Sequence, residues 1–247
     1  MNNLVSIITP SFNSAKFIAE TINSVISQTY KNWEMIIVDD VSTDNSVQII
    51  NSFIEKDDRI KLHKLKNNSG AAVARNKAIE LSKGNFIAFL DSDDLWLQNK
   101  LEEQLSFMIA NNYNLTYTSY KVIKEDGSNL SKSIICEEKL SYKDMLFSNK
   151  IGCLTAIYNK DCLGKIYMPN LKKRQDYALW LKILKKESYA YGLPKILAKY
   201  RNRQESISNN KIEMLKWNWK LYRQVEKLSY FRALFYVSSN VLNKLLK

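Results

Sequence analysis

Histidine occurs once in the 247 residues, at His63, which excludes a histidine-based triad and any multi-histidine metal site. A catalytic base in this chain must be a carboxylate, Lys, Tyr or Cys. Cysteine occurs three times, at Cys136, Cys153 and Cys162, an odd number with no C-x-x-C spacing. That pattern reads as buried reduced thiols and excludes a disulfide or zinc framework. Gly (6) and Pro (3) are scarce beside 45 % hydrophobic residues, so the chain can bury a substantial core and has no Pro/Gly-rich linker. No run approaches the roughly 18 apolar residues that a membrane-spanning helix needs. The N-terminus enters a strand-like segment without the basic region and apolar stretch of a secretory signal, so the expected location is the cytoplasm.

Acidic residues are outnumbered, 25 against 37 Lys and Arg, and the imbalance is local. Residues 1–98 carry 10 basic and 12 acidic side chains, net −2, whereas residues 99–247 carry 27 and 13, net +14. The basic second part suits an anionic partner such as phosphate or a membrane surface, or serves solubility alone. No nucleic-acid motif accompanies it, so nucleic acid is not an expected partner.

What is present is an alternation of strands and helices. "LVSIITPSF", "EMIIVDD", "RIKLHKL" and "NFIAFLD" read as strands. "SAKFIAETINSVISQ", "STDNSVQIINSFIEK" and "SGAAVARNKAIELSKG" read as amphipathic helices, the last closed by Gly84. This βαβαβαβ array predicts a Rossmann-like, mostly parallel central sheet with helices on both faces. Beyond residue 98 the spacing predicts a helix at "LEEQLSFMIANN", a β-ribbon around the "EDG" turn, a strand at "CLTAIYN" and an amphipathic helix at "QDYALWLKILKKE". The C-terminus reads as an appendage of two basic, aromatic-rich helices.

In an open α/β sheet, ligands bind at the carboxyl ends of the strands. Three strands end there in polar segments: "TPSFN", "DDVSTD" and "DSDD". Asp91, Asp93 and Asp94 repel one another unless neutralised, and a hard divalent cation binds through one or two carboxylates plus substrate phosphates. The other reading is that these residues cap the next helix, with Asp94 the chief candidate. "VDDVSTD" is either an ordinary turn with Asx bonds, or a place where Asp40 accepts the imide N–H of a pyrimidine while Phe12 offers a stacking face. Arg75 is a solvated helix residue or a nucleotide contact.

"VSIITPSFNSAKFIAETINSVISQTYKNWEMIIVDDVSTDNS", "NSGAAVARNKAIELSKGNFIAFLDSDD" and "RQDYALWLKIL", in this order and spacing, resemble glycosyltransferase family 2, the inverting, nucleotide-sugar-dependent enzymes of the GT-A fold. The resemblance is dense over residues 4–110 and returns over 150–203. It implies a catalytic domain over 1–205, with 1–98 holding the nucleotide and 99–205 the acceptor, followed by C-terminal helices at 206–247. It implies that Pro10, Phe12, Asp40, Arg75, Asp91 and Ser92 surround a UDP-sugar. Asp93, with Asp91, would hold a divalent metal, Mn²⁺ or Mg²⁺. Asp176 would be the catalytic base, and Trp180, one helical turn on, would shape the acceptor pocket. The implied acceptor is a glycan or a polyprenyl-diphosphate-linked saccharide in bacterial surface polysaccharide synthesis, such as O-antigen or capsule.

Two departures from the family pattern stand out. Many relatives have Glu before the base, where this chain has Gln175, which removes a like charge beside Asp176. Many have His two residues after "YR", where "KYRNRQESIS" has Arg203; a guanidinium cannot ligate a metal but can clamp a phosphate, so Arg201 or Arg203 is a candidate for the diphosphate, against a solvated basic loop. Leu228, Phe231, Leu234, Phe235, Leu242, Leu245 and Leu246 form one broad apolar face among Lys227, Arg232, Lys244 and Lys247. That face either packs on protein or lies on the inner surface of the cytoplasmic membrane as a peripheral contact. Rival functions are a sugar-phosphate nucleotidyltransferase, opposed by the absence of Gly from "TPSFNSAKF", and a non-catalytic nucleotide- or glycan-binding relative, opposed by Asp93 and Asp176.

Overall fold

Alternate residues of the first strands face opposite ways, and each set finds its own helical layer. In the computed structural model, which describes residues 3–203 and 211–245, the first half of the chain forms β1 (Val5–Ser11), α1 (Ile18–Ile26), β2 (Trp33–Asp39), α2 (Ser46–Ile54), β3 (Ile60–Lys64), α3 (Ala71–Leu81) and β4 (Phe86–Phe89). Val5, Ile7, Met35, Ile37, Phe86 and Ala88 pack with Ile18, Ile22 and Val25 of α1 and Ile50 of α2. Ile8, Ile36, Val38, Ile87 and Phe89 pack with Ala74, Ala78 and Ile79 of α3 on the other side. Both faces are covered, which is why apolar residues follow one another without alternation at Met35–Val38 and Phe86–Phe89.

The chain continues as β5 (Leu95–Trp96), α4 (Lys100–Ala110), β6 (Leu115–Ile123), β7 (Asn129–Ile134), β8 (Lys139–Leu140), α5 (Tyr142–Phe147), β9 (Ile157–Asn159), α6 (Lys160–Leu163), α7 (Gln175–Leu184) and β10 (Ala190–Arg201). The C-terminal helices are α8 (Lys211–Lys220), which runs on through a π-helical turn at Leu221–Val225, and α9 (Tyr230–Leu245). The sheet order is β3-β2-β1-β4-β9-β6-β10-β5. The first four strands are parallel, whereas β9 runs antiparallel to both β4 and β6, so the parallel arrangement gives way to a mixed one in the second half. The order reverses direction at β1 and β4, and a crevice opens at their carboxyl ends.

Three sequence expectations need revision. The 12-residue strand β10 was not anticipated, because Gly192 and Pro194 interrupt its alternation. Pairing with β6 absorbs them through register shifts between Leu193 and Ala198, where Pro194 owes the ladder no N–H. Gly84 does not close α3, which ends at Leu81. It is glycine because a Cβ there would stand 2.6 Å from the Leu4 carbonyl oxygen and the Ser6 nitrogen. The expected strand at "CLTAIYN" begins with a 3₁₀ turn and is extended only over Ile157–Asn159. Leu242, Lys244, Leu245, Leu246, Lys247 and the boundary at 205/206 lie outside the residues, or the side chains, that the structure describes.

Glu34, buried in β2, ties three segments together. Its carboxylate accepts from Ser6 Oγ at 2.7 Å, Lys83 N–H at 2.7 Å and Lys61 Nζ at 2.6 Å. Burial alone would raise its pKa, but these donors outweigh it and hold the carboxyl below its ordinary value. Its contribution is therefore present above the unfolded carboxyl range and is lost as pH falls through the lower folded value. Glu34→Gln should lower stability by about 1–3 kcal/mol at neutral pH, and the gap to wild type in urea titrations should close towards acid pH. Gly84→Ala should lower the thermal midpoint, at a cost of about 1–3 kcal/mol, because the clashing atoms are main chain.

Candidate active site

The crevice is a cavity of about 880 Å³, lined from both halves of the chain by the ends of β1 and β2, the start of α3, the segment after β4 and the approach to α7. Pro10, Phe12, Asp40, Arg75, Asp91, Ser92, Asp93, Asp176 and Arg203 all line it. Residues 166 positions apart in sequence, Pro10 and Asp176, thus face one space.

Phe12 is 51 % exposed, directly after β1. Asp40 follows β2 and is buried, and its two carboxylate oxygens accept the backbone N–H groups of Ser69 and Gly70, each at 2.7 Å. It thereby anchors the loop that starts α3, where Gly70 has φ +89° in the left-handed region open to glycine. In "VDDVSTD" the acids part company. Asp39 and Asp44 make local turn bonds to Ser42 and Ser46, while Asp40 stands at the cavity.

Each acid of "DSDD" meets a different arginine. Asp91 Oδ1 accepts from Arg75 Nη2 at 2.5 Å. Arg75 is buried, not solvated, and its Nε and Nη1 have no hydrogen-bond partner in the structure. Burial opposes its charge, but the fields of Asp91, Cys153 and Asp176 outweigh burial and keep the guanidinium ionised. Arg75 therefore bonds an acid at the end of β4 and lies in the field of another at the start of α7. Asp93 Oδ2 accepts from Arg203 Nη1 at 2.8 Å, and burial, then Asp91, push its carboxyl upward.

Asp94 caps no helix, since α4 begins only after Asn99. It is buried, and its Oδ1 accepts the Arg201 N–H at 2.8 Å, fastening the end of β10 to the acidic turn. Burial, then Asp93 and Asp91, push its carboxyl well up.

Arg201 does not reach the cavity. It is 2 % exposed, and its guanidinium donates to the Asp93 carbonyl at 2.8 Å, the Glu125 carbonyl at 2.9 Å and Glu20 Oε2 at 2.7 Å. It is a clamp behind the acidic turn, and of the two arginines only Arg203 lines the cavity.

Asp176 lies in the first turn of α7, preceded by Lys172, Lys173 and Arg174 on the cavity wall. Gln175 is 7 % exposed, so a Glu at that position would carry a charge into a buried place. Trp180 does not line the cavity. It is fully buried and packs edge-on against Phe89 at 5.4 Å, because α7 runs inward from its N-terminus and the next turn already lies in the core. The sequence reading missed Cys153, expected simply as a buried thiol. It is half-buried at the cavity, and burial, then Asp91, push its thiol well above the ordinary value. The basic run Lys172–Arg174, legible beside "QDY", is the sequence signal for this part of the wall.

Asp91 and Asp93 offer hard oxygen donors, which suit Mg²⁺ or Mn²⁺. Among the described residues no group of three or more His, Cys, Asp or Glu could hold a metal ion. A cation here would need oxygens from a ligand as well, the ordinary mode for Mg²⁺ beside phosphates.

The family profile of glycosyl transferase family 2 matches residues 6–165. The chain belongs to glycosyl transferase family 2. Among relatives of this family 2 glycosyltransferase, the putative teichuronic acid biosynthesis glycosyltransferase TuaG of Bacillus subtilis (strain 168) is 46 % identical over 230 residues, 93 % of this chain and 91 % of TuaG. The Escherichia coli enzyme WfgD, named UDP-Glc:alpha-D-GlcNAc-diphosphoundecaprenol beta-1,3-glucosyltransferase, is 42 % identical over 217 residues, covering 87 % and 84 %. The crystal structure of S. aureus TarS 1–349 in complex with UDP-GlcNAc superposes with a TM-score of 0.74 at 23 % identity, over 96 % of this chain and 71 % of that one. That likeness establishes the GT-A fold.

The two arginines should separate in stability. Arg201→Ala, which strips a buried clamp, should cost about 3–5 kcal/mol, read as a shift of the urea midpoint. Arg203→Ala, in a partly exposed pair, should stay within about 1 kcal/mol.

Proposed function

We propose that this chain transfers a sugar, with inversion, from a UDP-sugar to a hydroxyl of a lipid-linked saccharide in bacterial surface polysaccharide synthesis, on the cytoplasmic side of the membrane. The observation that carries the proposal is the meeting of Phe12, Asp40, Asp91, Asp93 and Asp176 on one cavity. The names of TuaG and WfgD support the pathway and acceptor class. Residues 1–98 supply the nucleotide side of the cavity and residues 99–205 the acceptor side, with the C-terminal helices α8 and α9 packed beyond them.

Phe12 stacks on the uracil, and Asp40, its carboxylate oriented by the α3 amides, accepts the imide N–H on a remaining lone pair. Pro10 and Ser92 bound the nucleotide sugar, and the unpartnered Nε and Nη1 of Arg75 are donors for its oxygens. Asp93, with Asp91, would hold a divalent cation, Mn²⁺ or Mg²⁺, against the diphosphate. Such a cation neutralises the charge that develops on the leaving group. Arg203 is placed to follow the same charge, moving from Asp93 to a phosphate oxygen. Asp176 removes the proton from the acceptor hydroxyl as its oxygen attacks the anomeric carbon. The carbon–oxygen bond to the diphosphate breaks, UDP departs, and a single displacement inverts the centre.

Asp176→Asn should lower turnover by about 10²- to 10⁴-fold while UDP affinity in calorimetry stays at the wild-type value. Near-normal turnover of that variant would remove Asp176 from the base role. Asp93→Asn should abolish the gain in UDP affinity that Mn²⁺ brings, and an undiminished gain would count against Asp93 as ligand. Arg203→Ala should weaken UDP binding most when metal is absent, the condition in which the guanidinium is the nearer counter-charge.

A further inference from the structure

Among its described side chains, helix α9 packs one face into the protein and leaves most of the other exposed. Ala233, Tyr236 and Asn240 are buried. Tyr236 packs edge-on against Phe147 at 5.1 Å, and Asn240 donates to Tyr222 Oη at 3.0 Å. The opposite stripe, one helical turn apart in pairs, is Tyr230, Phe231, Leu234 and Phe235, which are 56, 80, 45 and 56 % exposed. Four large apolar side chains within six residues form a patch of the kind that monomeric proteins seldom leave in water. Leu228, expected on this face, turns inward instead and packs against the core.

The surroundings of the stripe are cationic. Lys220, Arg223, Lys227 and Arg232 are exposed, and Trp219 joins Tyr230 edge-on at 5.3 Å. The two acids of the segment are already engaged: Glu213 pairs with Lys173 at 2.6 Å, and the buried Glu226 pairs with Lys185 at 2.7 Å. No described helix is long and apolar enough to cross a membrane. A second copy docked through this patch would bring like cations together about a two-fold axis. An anionic bilayer surface answers both features, taking the aromatic stripe into the headgroup region and pairing the cations with lipid phosphate.

The stripe also stands beside the cavity. Phe235 packs on Phe147 at 5.9 Å, and the chain after Phe147 lines the cavity at Ser148, Asn149 and Lys150, as does Met214 of α8. We propose that the exposed face of α9 docks on an anionic bilayer, so that a saccharide anchored in that bilayer reaches Asp176. The second clause rests on the proposed transferase reading; the docking itself does not.

The test is partitioning of the full chain onto phosphatidylcholine vesicles with and without phosphatidylglycerol, without donor or acceptor. Wild type should bind the anionic vesicles and release from them as salt is added. The double variant Phe231→Ser/Phe235→Ser should bind at least about tenfold more weakly. The triple variant Lys220→Gln/Lys227→Gln/Arg232→Gln should lose about a hundredfold, on anionic vesicles alone. All five side chains are exposed, and unchanged thermal unfolding and UDP affinity should verify that both variants fold. Equal binding by wild type and double variant, or equal binding to neutral and anionic vesicles, would overturn docking through this face. So would a concentration-dependent dimer in sedimentation velocity that the double variant abolishes, which would assign the face to a second copy. Failure of wild type to bind UDP would sink the active-site reading and leave the vesicle result standing.

Discussion

Charge compensation at the end of β4 is the constraint around which this molecule is arranged. Asp91, Asp93 and Asp94 fall within four residues, and a low-dielectric setting makes their mutual repulsion expensive. The fold meets them from three directions: Arg75 from α3, Arg203 from beyond β10, and the main-chain N–H of Arg201 from the end of β10 itself. Each partner belongs to a different element, so closing the charge balance also fixes where α3 and β10 lie relative to the first parallel strands. Arg201 completes the arrangement from behind, gripping the carbonyls of Asp93 and Glu125 and the carboxylate of Glu20.

The compensation is uneven. Asp94 is buried in the cavity wall, where its Oδ1 takes the Arg201 N–H and joins the acidic turn to β10. Asp91 and Asp93 remain at the cavity, and the carboxyl of Asp93 is still pushed upward by burial and by Asp91 although Arg203 is bonded to it. Arg75 likewise keeps two donors without partners while lying in the field of both Asp91 and Asp176. The cavity thus keeps cationic donors without partners beside carboxylates that are incompletely neutralised.

The first half of the fold was legible in the sequence. Short apolar, β-rich runs and the helical stripes between them sufficed to place β1 to β4 and α1 to α3. Where tertiary contacts override local preference, legibility failed. β10 is a strand because β6 offers it a ladder and a bulge absorbs Gly192 and Pro194. Gly84 is set by the approach of the β1 backbone, which no local pattern announces. Trp180 belongs to the core because α7 dives inward, although spacing alone puts it one turn below Asp176 on the same side of the helix.

By itself the sequence determined which chemistry is available: carboxylates and arginines, a single histidine, and polar segments at strand ends. Those are properties of residue type and of short spacing, and they survive any packing. Only the tertiary structure decided which of the similar residues do what. Arg201 and Arg203 are two positions apart, yet one is a buried clamp and the other faces the cavity. Among the three aspartates one is buried against a main-chain N–H and two are bonded to arginine side chains at the cavity. Alternation along an extended segment can say that neighbours point apart, but which direction is the core and which the crevice depends on what packs against each side.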